Sequence, residues 1–196
     1  NLHASLLPDY RGAAPINWAI IGGEASTGVT TFLIDEQIDT GAILLRKEVA
    51  IAPRETAGTL HDKLMTVGAD LVVETLALIA SDKAVPQSQP KQVVEKPAPK
   101  IHKETSHIPW EQSLAQIDRF VRGMSPYPTA WAQLHHEGET YVVKIYEATP
   151  QEATHNLPIG CVLLEDKQIK VAVQGGFLKI ESLQFPSKKR MSAREF

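Results

Sequence analysis

The chain has 196 residues, is 43% hydrophobic and 22% charged, and carries a formal net charge of -3, figures that exclude a disordered or fibrous protein and argue against a general nucleic-acid binder. One cysteine, Cys161, excludes an internal disulfide and a cysteine-rich zinc site and suits a reducing cytoplasm, and no apolar run approaches the ~20 residues of a membrane-spanning helix. The charge is uneven: residues 1–90 hold six Lys/Arg against eleven Asp/Glu, and residues 91–196 hold fourteen against twelve.

In chain order, Pro15 suits a first helical turn, and Ile16, Ala19 and Ile20 follow at helical spacing, so a helix is expected over 14–22, ended by Gly22-Gly23. The β-branched run 27–34 predicts a buried strand, and 42–45 and 48–51 predict extended segments. Asp39 then sits in a loop between strands, where such folds keep their chemistry. From Thr56 to about residue 80, Leu60, Leu64, Val67, Leu71, Val72, Leu76 and Ile79 step by three and four on one face of a long helix, with Thr56 as N-cap. Strand, loop, strand and helix predict part of a doubly wound α/β domain over 1–84. Four prolines within 85–99 predict a semi-extended linker.

A helix from near Trp110 or Ser113 through Met124 opens a second domain, 100–196, and Ser125-Pro-Tyr-Pro128 stops it. Strands are expected at 130–134 and 140–147 around a Glu137-Gly138-Glu139 turn, at 169–173 and 177–183 around Gln174-Gly175-Gly176, and near 161–164. Five short strands with glycine turns predict a small closed β-barrel of the OB type. Trp110, Tyr127 and Trp131 read as core anchors. His61, His102, His107, His135, His136 and His155 lack metal-like spacing and read as surface residues, so no metal is expected.

Two stretches carry chemistry. Asn1 can donate to an oxygen that becomes negative, His3 can donate or move a proton, and Asp39 can orient and charge that imidazole, the parts of an acyl-transfer site. No serine or cysteine nucleophile is needed if an amine attacks an activated formyl group. Such a trio is more often an ordinary polar cluster. Its order and spacing single it out: Asn1-x-His3-x-Ser5-Leu6-Leu7-Pro8-x-Tyr10-Arg11-Gly12-Ala13-Ala14-Pro15-Ile16, then Thr27-Gly-Val-Thr30, then Asp39 thirty-six residues after His3. The pattern resembles the folate-dependent formyltransferases, most closely those that formylate methionyl-tRNA. Lys100-Ile-x-Lys103-Glu104, Ile117-Asp-Arg119-Phe-Val-Arg122-Gly, Ser125-Pro-Tyr-Pro128 and Leu183-Gln-x-Pro-Ser-Lys-Lys-Arg-Met191 extend the likeness, similar in order and spacing to the C-terminal domain of that branch. Where the commoner pattern has Gly before the lysine pair, this chain has Ser187, a turn substitution that leaves the local backbone open.

The resemblance implies a formyl donor, 10-formyltetrahydrofolate, an acceptor, the α-amino group of methionyl-initiator-tRNA, and an OB-like tRNA-binding domain. By it, Asn1, His3 and Asp39 are catalytic; Ser5, Leu6, Leu7, Pro8, Asp35, Glu36 and Gln37 shape the donor pocket; and Arg11, Gly12, Lys100, Lys103, Lys188, Lys189 and Arg190 face the tRNA. For Arg11, pairing with Asp9 or Glu24 is an equal alternative, and Lys188-Lys-Arg190 is more often a solvated run. No obligate protein partner is evident. Because the chain opens on a candidate catalytic residue, it is expected to lack the first half of its catalytic domain and to be inactive alone. Two other readings remain: a formyltransferase acting on an amino-sugar nucleotide, and a non-catalytic tRNA-binding module.

Overall fold

A computed structural model describes residues 1–90 and 96–196, which form two compact units, Asn1–Ile101 and His102–Phe196. Positions 91–95 of the expected linker lie outside the described residues.

Unit 1 comprises β1 (Leu2–His3), α1 (Pro15–Gly22), β2 (Ser26–Phe32), β3 (Ile43–Ala50) and α2 (Ala57–Ala80). The expected segments at 42–45 and 48–51 are one strand. The sheet order is β1-β2-β3 and both pairings are antiparallel, with His3 opposite Thr30 and Thr30 opposite Arg46. The parallel pairing of a doubly wound domain is therefore absent from the described strands. The reason lies in the connection: residues 33–42 fold straight back, and Leu33 N–H donates to Ala42 O at 2.9 Å to close the loop's neck. Gly41 makes that closure feasible, since a Cβ there would lie 1.6 Å from Leu33 O.

α2 starts where Thr56 and Thr59 cap each other reciprocally, Thr59 N–H to Thr56 Oγ1 at 3.2 Å and Thr56 N–H to Thr59 Oγ1 at 3.0 Å. Its buried face runs Leu60, Leu64, Gly68, Leu71, Thr75 and packs with Ile20 and Val29. The expected face drifts from this one at its C-terminal end: Leu76 and Ile79 are exposed, because the row that meets β2 continues through Thr75, hydroxyl to hydroxyl with Thr31 at 2.8 Å. The described parts of 85–99 are bound to unit 1. Gln87 and Ile43 exchange two backbone hydrogen bonds of 2.8 Å, and Ala98 receives from Ala13 and donates to Arg11 O. The prolines remove donors at their own positions only, and Gln87 and Ala98, each beside one, keep theirs.

Unit 2 holds a 3-10 turn at Glu104–Ser106, α3 (Leu114–Met124), β4 (Ala130–His136), β5 (Glu139–Glu152), β6 (Val162–Glu165), β7 (Gln168–Val173), β8 (Gly176–Gln184) and β9 (Met191–Ser192). Ser113 and Gln116 form the cap of α3, whose Leu114, Ile117, Val121 and Met124 are buried as its spacing predicts. The sheet is antiparallel in the order β4-β5-β8-β7-β6, with β9 beside the end of β8. β4 to β8 all line one apolar cavity of about 550 Å³, yet among the described residues no pairing joins the end strands β4 and β6. Tyr127, expected in the core, is 82% exposed; its place between Pro126 and Pro128, just past the end of α3, carries it off the buried face. No helix of the described residues is long and apolar enough to cross a membrane.

Candidate active site

β1 presents the first two groups. Asn1 continues its ladder: the Asn1 backbone nitrogen donates to Phe32 O at 2.7 Å and Phe32 N–H donates to Asn1 O at 2.9 Å. Side chains two apart on an extended chain share a face, so Asn1 and His3 lie on one side of β1. The Asn1 carboxamide oxygen accepts from Leu2 N–H at 2.7 Å, which leaves its Nδ2 as the outward donor. His3 is buried, edge-on to Phe32. Its Nε2 lies 2.8 Å from Tyr10 O and must donate, because a carbonyl only accepts. Nδ1 then faces Asp39 Oδ2 at 3.6 Å.

The turn leaving β1 is fastened from inside. Thr30, 0% exposed on β2, donates from Oγ1 to Ser5 O at 2.6 Å and accepts from Leu7 N–H at 3.2 Å. Ser5 Oγ donates to Asp9 O at 2.6 Å, Leu7 packs with Phe32 and Ile43, and Leu6 lies over Gly28, where a Cβ would come within 2.5 Å of it. Pro8 is half-buried in this turn. Ser5, Leu6 and Leu7 thus build the turn first.

Asp39 joins from the 33–42 loop, with a left-handed φ of 57°. Its Oδ2 accepts from Gly12 N–H at 2.9 Å, and its Oδ1 makes no hydrogen bond among the described residues. Its carbonyl accepts from Arg11 Nε at 3.1 Å and from Gln89 Nε2 at 2.9 Å. Arg11 therefore turns toward the loop and meets neither Asp9 nor Glu24. Gly12 needs its missing side chain, for at φ 128° a Cβ would lie 2.3 Å from Ala98 O. Asp35 receives Gln37 N–H at 3.1 Å and Thr40 Oγ1 at 2.7 Å, a local turn that leaves Asp35, Glu36 and Gln37 exposed. Leu33, Ile34 and Ile38 give the loop an apolar rim, 46%, 76% and 78% exposed.

Two supports behind the site were not read from the sequence. One is Gln89. The other is the network that holds Tyr10 in its left-handed conformation, φ 57°, and so aims the carbonyl that His3 uses. Tyr10 OH donates to Glu24 Oε1 at 2.7 Å, as does Lys96 Nζ, and Lys96 O accepts from Tyr10 N–H at 2.7 Å. Burial, then the Glu24 hydrogen bond and charge, push the Tyr10 phenol well above its usual range. For Glu24 burial works upward and is outweighed by the hydrogen bonds from Lys96 and Tyr10, which hold the carboxyl below its usual value. Neither segment carries a motif; only the fold reveals that the proline-rich stretch returns here.

The remaining expected residues are dispersed. Lys100 is exposed in unit 1. In unit 2, Lys103 Nζ lies 6.0 Å from the centre of the Trp131 ring, and Lys188 and Lys189 are exposed. Arg190 is committed: it donates to Glu147 Oε1 at 2.5 Å and to Ser182 Oγ at 2.7 Å, and lies over the Tyr146 ring. Ser187 has a φ of 59°, the conformation a glycine adopts freely, which accounts for the glycine of the commoner pattern. No cluster of three or more potential metal ligands occurs among the described residues.

Both units match known proteins. A family model described as formyl transferase matches residues 1–76, and one described as formyl transferase, C-terminal domain, matches residues 100–196. The methionyl-tRNA formyltransferase of Flavobacterium johnsoniae is 49% identical over 195 residues, and that of Parabacteroides distasonis 50% over 202. Each alignment takes in 100% of this chain and 62% of the relative, so the chain spans less than two thirds of their length. HypX from Aquifex aeolicus, solved with tetrahydrofolic acid, shares the fold at a TM-score of 0.74 and 21% identity over 99% of this chain and 34% of its own. An N-formyltransferase from Helicobacter canadensis, solved with folinic acid and dTDP-3-aminofucose, does so at 0.68 and 21% over 95% and 65%. Backed by matches in both units, the chain belongs to the formyl transferase family.

Proposed function

We propose that this chain takes part in transferring a formyl group from 10-formyltetrahydrofolate to the α-amino group of methionyl-initiator-tRNA. The observation that carries the reading is the pairing of His3 with Asp39 on the face of β1 that bears Asn1. The 49% identity to curated methionyl-tRNA formyltransferases supports the choice of acceptor.

The amine attacks the formyl carbon and the bond from that carbon to the folate nitrogen breaks. Asn1 Nδ2 donates to the oxygen that gains negative charge, and one such donor is worth about 3 kcal/mol of barrier in other acyl-transfer sites. His3, its Nε2–H anchored on Tyr10 O and its Nδ1 facing Asp39, acts on that oxygen through the charge of its protonated ring, which Asp39 balances. The proton lost by the amine passes to Asp39 through Oδ1, the carboxylate oxygen without a partner among the described residues, and returns from there to the folate nitrogen as its bond to the formyl carbon breaks. An α-amino group with an ordinary pKa of about 7.7–8.0 is sufficiently neutral to attack near pH 7. The apolar rim of Leu33, Ile34 and Ile38 fits a flat heteroaromatic donor, with Asp35, Glu36 and Gln37 offering polar groups around it. Unit 2, which we read as an OB-like barrel, supplies Lys188 and Lys189 for tRNA phosphates.

The test is acceptor competition in the full-length protein that contains this chain. Formyl transfer to methionyl-initiator-tRNA and none to a dTDP-amino-sugar is the expected result; the reverse preference would replace the acceptor assignment. The 196-residue chain alone is expected to bind tRNA without turnover.

A further inference from the structure

We propose that Gln89 is a positioning residue for Asp39, acting with Arg11 to hold the loop that delivers the carboxylate; this rests on the reading of Asp39 as the site's carboxylate. Asp39 cannot hold its place by itself. Its φ of 57° is a conformation that non-glycine residues adopt at a cost of about 1 kcal/mol, so the surroundings must impose it.

Gln89 supplies that constraint with every hydrogen-bonding atom of its amide. Nε2 donates to Asp39 O at 2.9 Å and to Gly41 O at 2.7 Å, spanning the left-handed residue and the glycine of the loop's neck. Oε1 accepts from Arg11 Nη2 at 2.6 Å, while Arg11 Nε donates to the same Asp39 O at 3.1 Å. The orientation of the amide is dictated: flipping it would set an oxygen against two carbonyls and an NH2 against a guanidinium. Gln89 is 9% exposed, and a buried amide is tolerated when its polar atoms are satisfied, as here. The adjacent Gly12 N–H fixes the other end of Asp39 through Oδ2. One turn, 11–12, and one side chain fifty residues further along the chain than Asp39 thus hold both the backbone and the carboxylate.

The Gly12 amide is a local reporter, because its proton points at the carboxylate. Its NMR signal is expected to move when Asp39→Asn removes the carboxylate's charge from the otherwise wild-type protein. Gln89→Glu keeps the length and the acceptor for Arg11 but loses both donors; with Gln89→Ala as the second variant, the movement is expected to shrink by half or more. The Gln87 and Ile43 amides, paired nearby, should keep their wild-type shifts and so show an intact fold. In the full-length protein both variants are expected to lose about tenfold or more in kcat with KM for either substrate nearly unchanged. A folded Gln89→Glu protein that retains the wild-type movement of the Gly12 amide would overturn the proposal. A wild-type protein without formyl transfer, but with the Gly12 response intact and lost on Gln89 substitution, would refute the proposed function and leave the clamp standing.

Discussion

Thr30→Val removes one hydroxyl and keeps nearly the same shape, so its effect isolates the fastening of the turn between His3 and Arg11. In the folded chain the hydroxyl satisfies Ser5 O at 2.6 Å and Leu7 N–H at 3.2 Å, and Thr30, Ser5 and Leu7 are all 0% exposed. Valine leaves two buried backbone groups unpaired, at about 1–3 kcal/mol each, so a loss of about 2–6 kcal/mol is expected. Thr30→Ser keeps the hydroxyl and gives up a buried methyl, for about 1 kcal/mol. A unit of this size shifts its Tm by about 4–8 °C per kcal/mol, so the valine variant should melt at least about 8 °C below wild type and clearly below the serine variant. Calorimetry or circular dichroism at pH 7 reads this directly. Equal melting of the valine and serine variants would show that the hydroxyl bonds contribute nothing and that the turn is held by other contacts.

Other expectations follow from neighbouring features. Asn1→Ala should lower kcat on the order of 100- to 1000-fold in the full-length protein while leaving tRNA affinity unchanged, as steady-state kinetics with a filter-binding control would show. Gly41→Ala, whose Cβ would lie 1.6 Å from Leu33 O, should open the neck of the 33–42 loop and make that loop the first site of limited proteolysis. Glu24 has a depressed folded-state pKa, so its contribution is present above its unfolded value of about 4.3 and lost as pH falls through the lower folded value. Urea unfolding of Glu24→Gln should therefore differ from wild type at pH 7 and converge with it in acid below about pH 4. Replacing both Lys188 and Lys189 with Ala should flatten the salt dependence of tRNA binding by about one to two units of logarithmic slope. Arg190→Ala should instead lower the stability of unit 2, because that side chain is occupied by Glu147 and Ser182.

How much of this was legible in the sequence depended on the range of the interactions involved. The Thr56 cap of α2, the buried face of α3 and the two hairpins of unit 2 are local patterns, and local chemistry predicted them. The proximity of His3 and Asp39 is not local, and only the resemblance to a family pointed to it. Periodicity misplaced the end of the α2 face because Leu76 and Ile79 are apolar without being covered, while polar Thr75 is buried on its bond to Thr31. Composition read 85–99 as a linker because prolines prevent regular structure, yet they do not prevent isolated pairs such as Gln87 with Ile43. Gln89 and the bonding of Arg11 were therefore invisible from sequence, since their partners lie fifty and twenty-eight residues away from them in the chain. The antiparallel sheet was missed because strand direction is set by how loop 33–42 turns, and the Leu33–Ala42 closure behind Gly41 has no sequence motif of its own.

The most direct measurement is single-turnover formyl transfer by the full-length protein carrying His3→Ala, with initiator-tRNA affinity determined on the same preparation. A rate reduced by at least about 100-fold is expected, the lower end of what an oxyanion-stabilising group contributes, with the dissociation constant within about twofold of wild type. A His3→Ala protein that transfers formyl groups within about threefold of the wild-type rate would contradict that role.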